Sequence, residues 1–241
     1  MSALDELSRQ GYAFIRADEL AGVLHVDAAG LRALEASWEA LPRDEYLRDG
    51  GRYRFRRYAC FIQSFGTGGS LIQQPHRAHW QPTSYNALHG GLERWFEPID
   101  GAVAGSPAWN QLVRSIGHFF RQLRPVERWY IEAHQFRIDT ADGIGRPTPE
   151  GAHRDGVDFV ALVLIQRRDV RGGETRVFDA HGPNGVRFTM QEPWSLLLMD
   201  DERVIHETTP IQPDGAGGVR DTLVLTYRAA GFQEPGGQAS V

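Results

Sequence analysis

Two histidines and an aspartate stand at spacings that suit a metal ion. In GAHRDGVDFV, His153 and Asp155 lie two residues apart at the start of an apolar run. On an extended chain residues i and i+2 project from one face, so this imidazole and this carboxylate can meet a single ion. A third ligand, His206, closes LLLMDDERVIH on a separate strand-like segment, and antiparallel strands of a jelly roll can bring it alongside. Two imidazoles and one carboxylate on one face of an octahedral ion leave three positions open, the ligand set of non-haem Fe(II) oxygenases. The His-x-Asp spacing alone is common. His25-Val26-Asp27 repeats it, and there Asp27 is better explained as a helix cap. The 153–155 pair differs by its setting between a Pro/Gly loop and an apolar strand.

Beyond His206, Arg220 opens the run RDTLVLTY, in which Arg220 and Thr222 share a face by the same two-residue period. A planar guanidinium beside a hydroxyl suits the far end of a dicarboxylate. All 26 basic residues are arginine and none is lysine. That excludes a Walker-type phosphate loop, a Schiff base and a pyridoxal-phosphate anchor, and leaves arginine as the fixed cation for any carboxylate. The glycine-rich turn Phe65–Ser70 is therefore not expected to cradle a phosphate, and His206-Glu207-Thr208 lacks the second histidine of a zinc-protease helix.

The elements that must carry these residues follow from periodicity. Residues 28–41 place Leu31, Leu34, Trp38 and Leu41 at helical spacing, and residues 108–123 do so with Leu112, Ile116, Phe119, Phe120 and Leu123, ending before Pro125. Between them RYRFRRYACFIQ (52–63) is extended, followed by a loop-rich stretch holding His76, His79 and His89, for which ordinary structural or surface roles are expected. Strands are expected at 129–138, 158–166, 174–179, 186–189, 195–200 and 221–228, parted by turn signals such as Gly172-Gly173 and Asn184-Gly185. Short strands without intervening helices point to a jelly roll rather than a parallel sheet. The expected architecture is α+β, a double-stranded β-helix (jelly-roll) core with N-terminal helices packed on it. One domain is expected over 1–241, with a mainly helical and loop part at 1–127. The jelly-roll core with the metal site follows at 128–232, then a flexible tail at 233–241. Trp80, Trp95 and Trp194 are expected to pack the core.

The composition, 41% hydrophobic and 24% charged over 241 residues, is that of a soluble globular chain with a sizeable core. No apolar run reaches the roughly 18 residues of a membrane helix. The opening MSALDELSRQGYAF carries acids and no apolar stretch, against a secretory signal. The one cysteine, Cys60, closes no disulfide within the chain and builds no thiolate zinc site, so a cytoplasmic setting is expected. A net charge of -5 without a basic run makes neither nucleic acid nor a membrane an expected partner. A small molecule is the expected partner, with homodimer formation open.

Taken together, PEGAHRDGVDFV, GGET (172–175), DDERVIHETTPI (200–211) and RDTLVLTY (220–227) resemble the bacterial 2-oxoglutarate/Fe(II) dioxygenases typified by L-isoleucine 4-hydroxylase. The pieces EAHQFRI (132–138), RYRFRRY (52–58) and YNALHGGLERWFEPI (85–99) are similar too. The resemblance covers most of the chain after about residue 44. It implies Fe(II) on His153, Asp155 and His206, and 2-oxoglutarate chelating the iron with its other carboxylate on Arg220 and Thr222. It also implies O2 as co-reactant, with succinate and CO2 released as a substrate is hydroxylated. Related halogenases lack the carboxylate that Asp155 supplies, which favours hydroxylation.

The family acts chiefly on free aliphatic amino acids, so a free L-amino acid or close derivative is the expected substrate. In the strand 131–138 polar residues face both ways: Gln135 and Arg137 on one side, Glu132 and His134 on the other. Gln135 and Arg137, assisted by Arg57, are candidates for the substrate carboxylate, and Asp158 for its ammonium. The loop 139–151 is either a lid or a mobile connector. Sulfoxidation or desaturation on the same chassis stands as an alternative. So does a non-catalytic jelly-roll protein holding a metal or small ligand, although such cupin-like modules usually show a His-x-His pair, absent here.

Overall fold

The architecture is a broad antiparallel sheet whose outer face packs against the helices and whose inner face meets a smaller sheet and a partly polar cavity. The structure is a computed structural model and describes residues 1–236. The chain opens with α1 (Ala3–Gln10), β1 (Tyr12–Ile15), α2 (Ala17–Leu24), α3 (Ala28–Arg32) and a 3-10 turn (Glu35–Trp38). The hairpin β2 (Arg54–Ser64) and β3 (Leu71–Gln73) follows, then α4 (Gly101–Ala104), α5 (Pro107–Leu123) and β4 (Arg128–Asp139). The remaining strands are β5 (Phe159–Arg168), β6 (Val170–Gly172), β7 (Thr175–Asp179), β8 (Gly185–Phe188), β9 (Leu196–Asp200), β10 (Val204–Thr208), β11 (Ile211–Pro213) and β12 (Val219–Arg228). They form a seven-stranded sheet in the order β1-β9-β5-β12-β4-β2-β3, a three-stranded sheet β10-β7-β8 and a pair β11-β6.

Alternation sorts the central strands. Ile131 and Ala133 of β4, Ala161 and Val163 of β5, and Leu223, Leu225 and Tyr227 of β12 pack outward in one core with Trp109, Ile116 and Phe120 of α5. The opposite face sends Val160, Leu162 and Leu164 against Val177 and Val204 of the small sheet. α5 is amphipathic, capped by Ser106, whose hydroxyl accepts from Trp109 N–H, and begins with Pro107 where a missing N–H costs nothing.

The expected helix over 28–41 is instead two short pieces. Asp27 caps α3 as expected, accepting from the N–H groups of Ala29 and Gly30. The Ser37 hydroxyl then takes the Leu34 carbonyl at 2.7 Å, a local bond that competes with helix propagation. Trp38 stays fully buried, its indole N–H donating to Thr222 O across the fold at 3.2 Å. The helical spacing therefore marked the buried residues but not a continuous helix.

The first half also gives more strand than expected, since β1, β2 and β3 all join the large sheet. Trp194 is buried, but Trp95 is 55% exposed rather than in the core. Of the tail, Gln233 donates to the carbonyls of Asp155 and Gly156, and Glu234 pairs with Arg77. Residues 237–241 lie outside the described residues.

On the outer face, Arg137 donates to the buried Asp221 carboxylate at 2.8 and 2.7 Å and to Glu39 at 2.9 Å. Hydrogen bonds from Arg137 hold the Glu39 carboxyl down at about 2. Arg137→Met leaves the Asp221 charge buried and unpaired, and is expected to cost about 3–5 kcal/mol in thermal or urea unfolding. Glu39 is largely exposed, so Glu39→Gln is expected to cost less than about 1 kcal/mol. The Glu39 carboxyl sits below its ordinary value, so its small contribution is present above about pH 4.5 and fades as pH falls toward 2. Stability curves of the two variants against pH check both statements.

Candidate functional site

His153 precedes β5 and is joined to His206 of β10 by two backbone hydrogen bonds, 3.0 Å in each direction. Its Nδ1 lies 2.9 Å from the Gly151 carbonyl and donates to it, which leaves the Nε2 lone pair for an ion. Asp155 is held by its own loop. The buried Asp201 carboxylate accepts from the N–H groups of Asp155, Gly156 and Val157 at 3.0, 2.8 and 3.1 Å. Burial and the Asp155 charge push the Asp201 carboxyl up to about 7. Gly156 has φ +75°, and a Cβ there would lie 2.5 Å from the Tyr85 ring, so glycine is required at this turn.

The ligand atoms of His153, Asp155 and His206 all lie within 4.8 Å of one another. His153 Nε2 is 3.9 Å from Asp155 Oδ1, and His206 Nε2 is 3.7 Å from Asp155 Oδ2. Those separations are too long for hydrogen bonds. They are short enough for one ion to bridge with bonds of about 2.0–2.2 Å. Burial and the neighbouring His153 push the His206 imidazole down to about 3, so it is neutral, as a metal ligand must be. Burial also pulls on His153, but the Asp155 and Glu150 carboxylates outweigh it and raise that imidazole.

Arg220 and Thr222 face the same cavity from β12. Arg220 is 2% exposed, and its Nε and Nη2 have no hydrogen-bond partner among the described residues. Burial and the nearby Arg167 lower it to about 10, which leaves it charged at neutral pH. A buried cation with unpaired donors is costly unless an anion completes it, and the far carboxylate of a dicarboxylate supplies one with bidentate geometry. Gly173, at φ +68°, lies against this pair. A Cβ there would come within 3.0 Å of Arg167 Nη1, which accounts for the second glycine of GGET.

The cavity holds about 110 Å³ and has an apolar wall that includes Val157, Val160, Leu162 and Val224. Its polar wall comes from the inward face of β2 and β4, which carries Arg54, Arg56, Glu132, His134 and Phe136, and from the loop that carries His79, Gln81 and Arg94. The four substrate candidates lie elsewhere. Gln135 and Arg137 sit on the outward face of β4, bound to Ser37 and to Asp221 with Glu39. Arg57 donates to the carbonyls of Pro98 and Ala40. Asp158 accepts from Ala229 N–H and pairs with Arg124. Both faces of β4 carry polar residues, and only its packing against α5 and the N-terminal segment decides which one turns inward. His79 and His89, expected to be ordinary structural or surface residues, line the cavity, as does Glu150. The alternation in RYRFRRY and EAHQFRI contained the β2 and β4 part of this wall. No spacing marked Gln81 or Arg94. The loop 139–151 is fastened, since the Thr148 hydroxyl donates to Thr208 O and accepts from its N–H, and Gly145 pairs with Ile211.

A second trio, His79, Glu132 and His134, also has its ligand atoms within 4.8 Å of one another. Here the atoms are already used: His79 Nδ1 is 3.1 Å from Glu132 Oε2, and Arg56 Nη2 is 2.6 Å from His134 Nδ1. Arg56 and Arg94 both depress these histidines electrostatically and would repel a dication. The trio is a hydrogen-bonded wall, whereas the 153–155–206 cluster has the open separations and the negative charge that an ion needs.

The sequence pattern described as 2OG-Fe dioxygenase matches residues 35–226. The chain is 22% identical over 244 residues to 3(1)-hydroxy-L-isoleucine 4-dioxygenase of Pantoea ananatis (strain AJ13355), covering 95% of this chain and 96% of that protein. The crystal structure of a bsmA homolog from Methylobium petroleophilum PM1 is similar with a TM-score of 0.92 at 54% identity, over 97% of this chain and 94% of that one. IDO from Bacillus thuringiensis shares the fold, with a TM-score of 0.77 at 19% identity over 96% of this chain and 98% of that one. The expected jelly-roll core is the fold these oxygenases share.

Anaerobic titration with Fe(II) tests the ligand set. Asp155→Ala and His206→Ala are each expected to weaken binding by more than about 100-fold, beyond the 10–100-fold typical of outer-shell changes, while Gln81→Ala falls within that smaller range. Unchanged affinity in either ligand variant would reject the cluster as the metal centre.

Proposed function

This chain belongs to the 2OG-Fe dioxygenase family, and from that membership we propose that it hydroxylates a free L-amino acid or a close derivative. The observation that carries the reading is Arg220, a buried guanidinium with two nitrogens unpaired among the described residues, in one cavity with the His153, Asp155 and His206 cluster. The Pantoea relative's name, a 4-dioxygenase of a hydroxylated isoleucine, supports a small amino-acid substrate. A cavity of about 110 Å³ with buried charges of both signs supports it as well.

Fe(II), 2-oxoglutarate and O2 together supply oxidative decarboxylation to succinate and CO2 coupled to oxygen insertion into the substrate. The protein's share is binding, orientation and exclusion of water. His153, Asp155 and His206 hold the ion, with His153 aligned by the Gly151 carbonyl and Asp155 by Gln81, whose Nε2 donates to its Oδ1 at 3.2 Å. Arg220 would take the distal carboxylate of 2-oxoglutarate, with Thr222, two residues along β12, lining the same cavity. Val160, Leu162 and Val224 give the cavity an apolar wall for the substrate's side chain.

The test is a panel of L-amino acids with Fe(II), 2-oxoglutarate and O2. One member is expected to drive succinate formation in step with a product that has gained one oxygen atom. Succinate release that no amino acid stimulates would sink the substrate assignment. Arg220→Met is expected to raise KM for 2-oxoglutarate roughly 30-fold or more, the usual loss when one partner of a buried charge pair is truncated. Arg220→Lys recovers only part of it, because an ammonium cannot make the bidentate contact.

A further inference from the structure

Away from Arg220, the cavity contains a second group of buried arginines that the 2-oxoglutarate site does not use. Arg54, Arg56 and Arg94 are each 5% exposed or less, and the buried carboxylates among them are Asp44 and Glu132. Arg54 pairs with Asp44 at 2.7 Å, and Arg56 Nη1 lies 3.7 Å from the same carboxylate. Arg56 is fixed between two rings, its guanidinium carbon 3.6 Å from the Phe96 centroid and 4.4 Å from that of Phe136. One of its amino groups meets His134, yet its Nε has no partner among the described residues. Arg94 donates through Nη2 to Gln81 at 3.0 Å, and its Nε is likewise buried and unpaired. Glu150, which also lines the cavity and lies beside His153, has a buried Oε2 without a partner among the described residues. Buried unpaired donors on two cations and a buried unpaired acceptor on an anion thus belong to residues that line one cavity, and each is expensive to leave unsatisfied.

We propose that Arg56, Arg94 and Glu150 form the recognition site for a zwitterionic substrate, the two guanidinium groups taking its carboxylate and Glu150 its ammonium. The assignment rests on the amino-acid reading above and names the residues that enforce it. Arg56 Nε and Arg94 Nε lack partners among the described residues and so does Glu150 Oε2, so a carboxylate and an ammonium complete the two sides together, and the aromatic clamp on Arg56 keeps its donors in place before they arrive. Gln81 makes the site more than a tether. Its amide accepts from Arg94 on one side and donates to Asp155 on the other. The group that receives the substrate's carboxylate is therefore one side chain away from the proposed metal ligand, which sets the depth at which the rest of the substrate lies.

The experiment uses full-length protein loaded anaerobically with Fe(II) and 2-oxoglutarate, reading the visible band of the chelate as L-amino acids are added. The amino acid that perturbs it most is compared with its des-amino acid and its decarboxylated amine. Both analogues are expected to bind the wild-type protein at least about 30-fold more weakly, a result that needs no variant to fold. Glu150→Gln is expected to weaken the amino acid by a similar factor while leaving the des-amino acid unchanged. Arg94→Met is expected to weaken the amino acid and the des-amino acid but not the amine, with partial recovery in Arg94→Lys. If the band forms but no amino acid perturbs it, the amino-acid reading itself falls. If an amino acid binds but its analogues bind equally well, or both variants keep its affinity within threefold, the recognition site falls and the amino-acid reading stands.

Discussion

The loop that carries His153 and Asp155 is clamped to the strand that carries His206, and the cavity is built around that clamp. Reciprocal backbone bonds between the two histidines fix the approach of β10. Asp201 gathers three consecutive N–H groups of the 155–157 turn, which fixes the backbone from which the Asp155 carboxylate projects. Both devices act through main-chain atoms and so set the ligand positions before any ion arrives, the preorganisation on which binding and reactivity depend. Gln81 and Gln233 brace the same turn, one at the Asp155 carboxylate and the other at the 155 and 156 carbonyls.

The two faces of the large sheet divide stability from chemistry. The outer face carries the large apolar cluster running from Trp38 through α5 to Tyr227, interrupted at one end by the Arg137–Asp221–Glu39 network. The inner face gives up apolar packing to hold Arg54, Arg56, Arg220, Glu132 and His134. Buried ions of this kind add little or nothing to folding when compared with well-packed apolar residues. Their concentration on one face, with several donors unpaired among the described residues, is the pattern of a site that a ligand completes.

Residue type alone does not separate the two clusters of ligating side chains. His79, Glu132 and His134 are the same chemical set as His153, Asp155 and His206, and their atoms lie as close together. Their surroundings differ. In the first trio Arg56 meets His134 Nδ1, Tyr58 and His79 engage Glu132, and Arg56 and Arg94 add positive charge, whereas the second has carboxylates at Asp155, Glu150 and Asp201 around it. Opposite fields make a hydrogen-bonded cavity wall of one and a candidate metal centre of the other.

Much of this was legible in the sequence. His153, Asp155, His206, Arg220 and Thr222 were marked by two-residue spacing at strand ends and by resemblance, because those contacts are local or tied to short motifs. The strands of the second half were legible for the same reason, since alternation and turn residues act over a few positions. The helix over 28–41 was not, because the Ser37 hydroxyl and the reach of Trp38 to Thr222 override a spacing that marks only burial. Nor could alternation tell which polar face of β4 turns inward. Arg137 and Gln135 were as plausible as Glu132 and His134 until Asp221, Glu39 and Ser37 occupied the outer side. The sequence by itself determined which residues share a face and which chemistry they can do, because covalent geometry sets the period. The tertiary structure alone decided which face meets the cavity and which charges are left unpaired there, because that depends on partners brought in from distant parts of the chain.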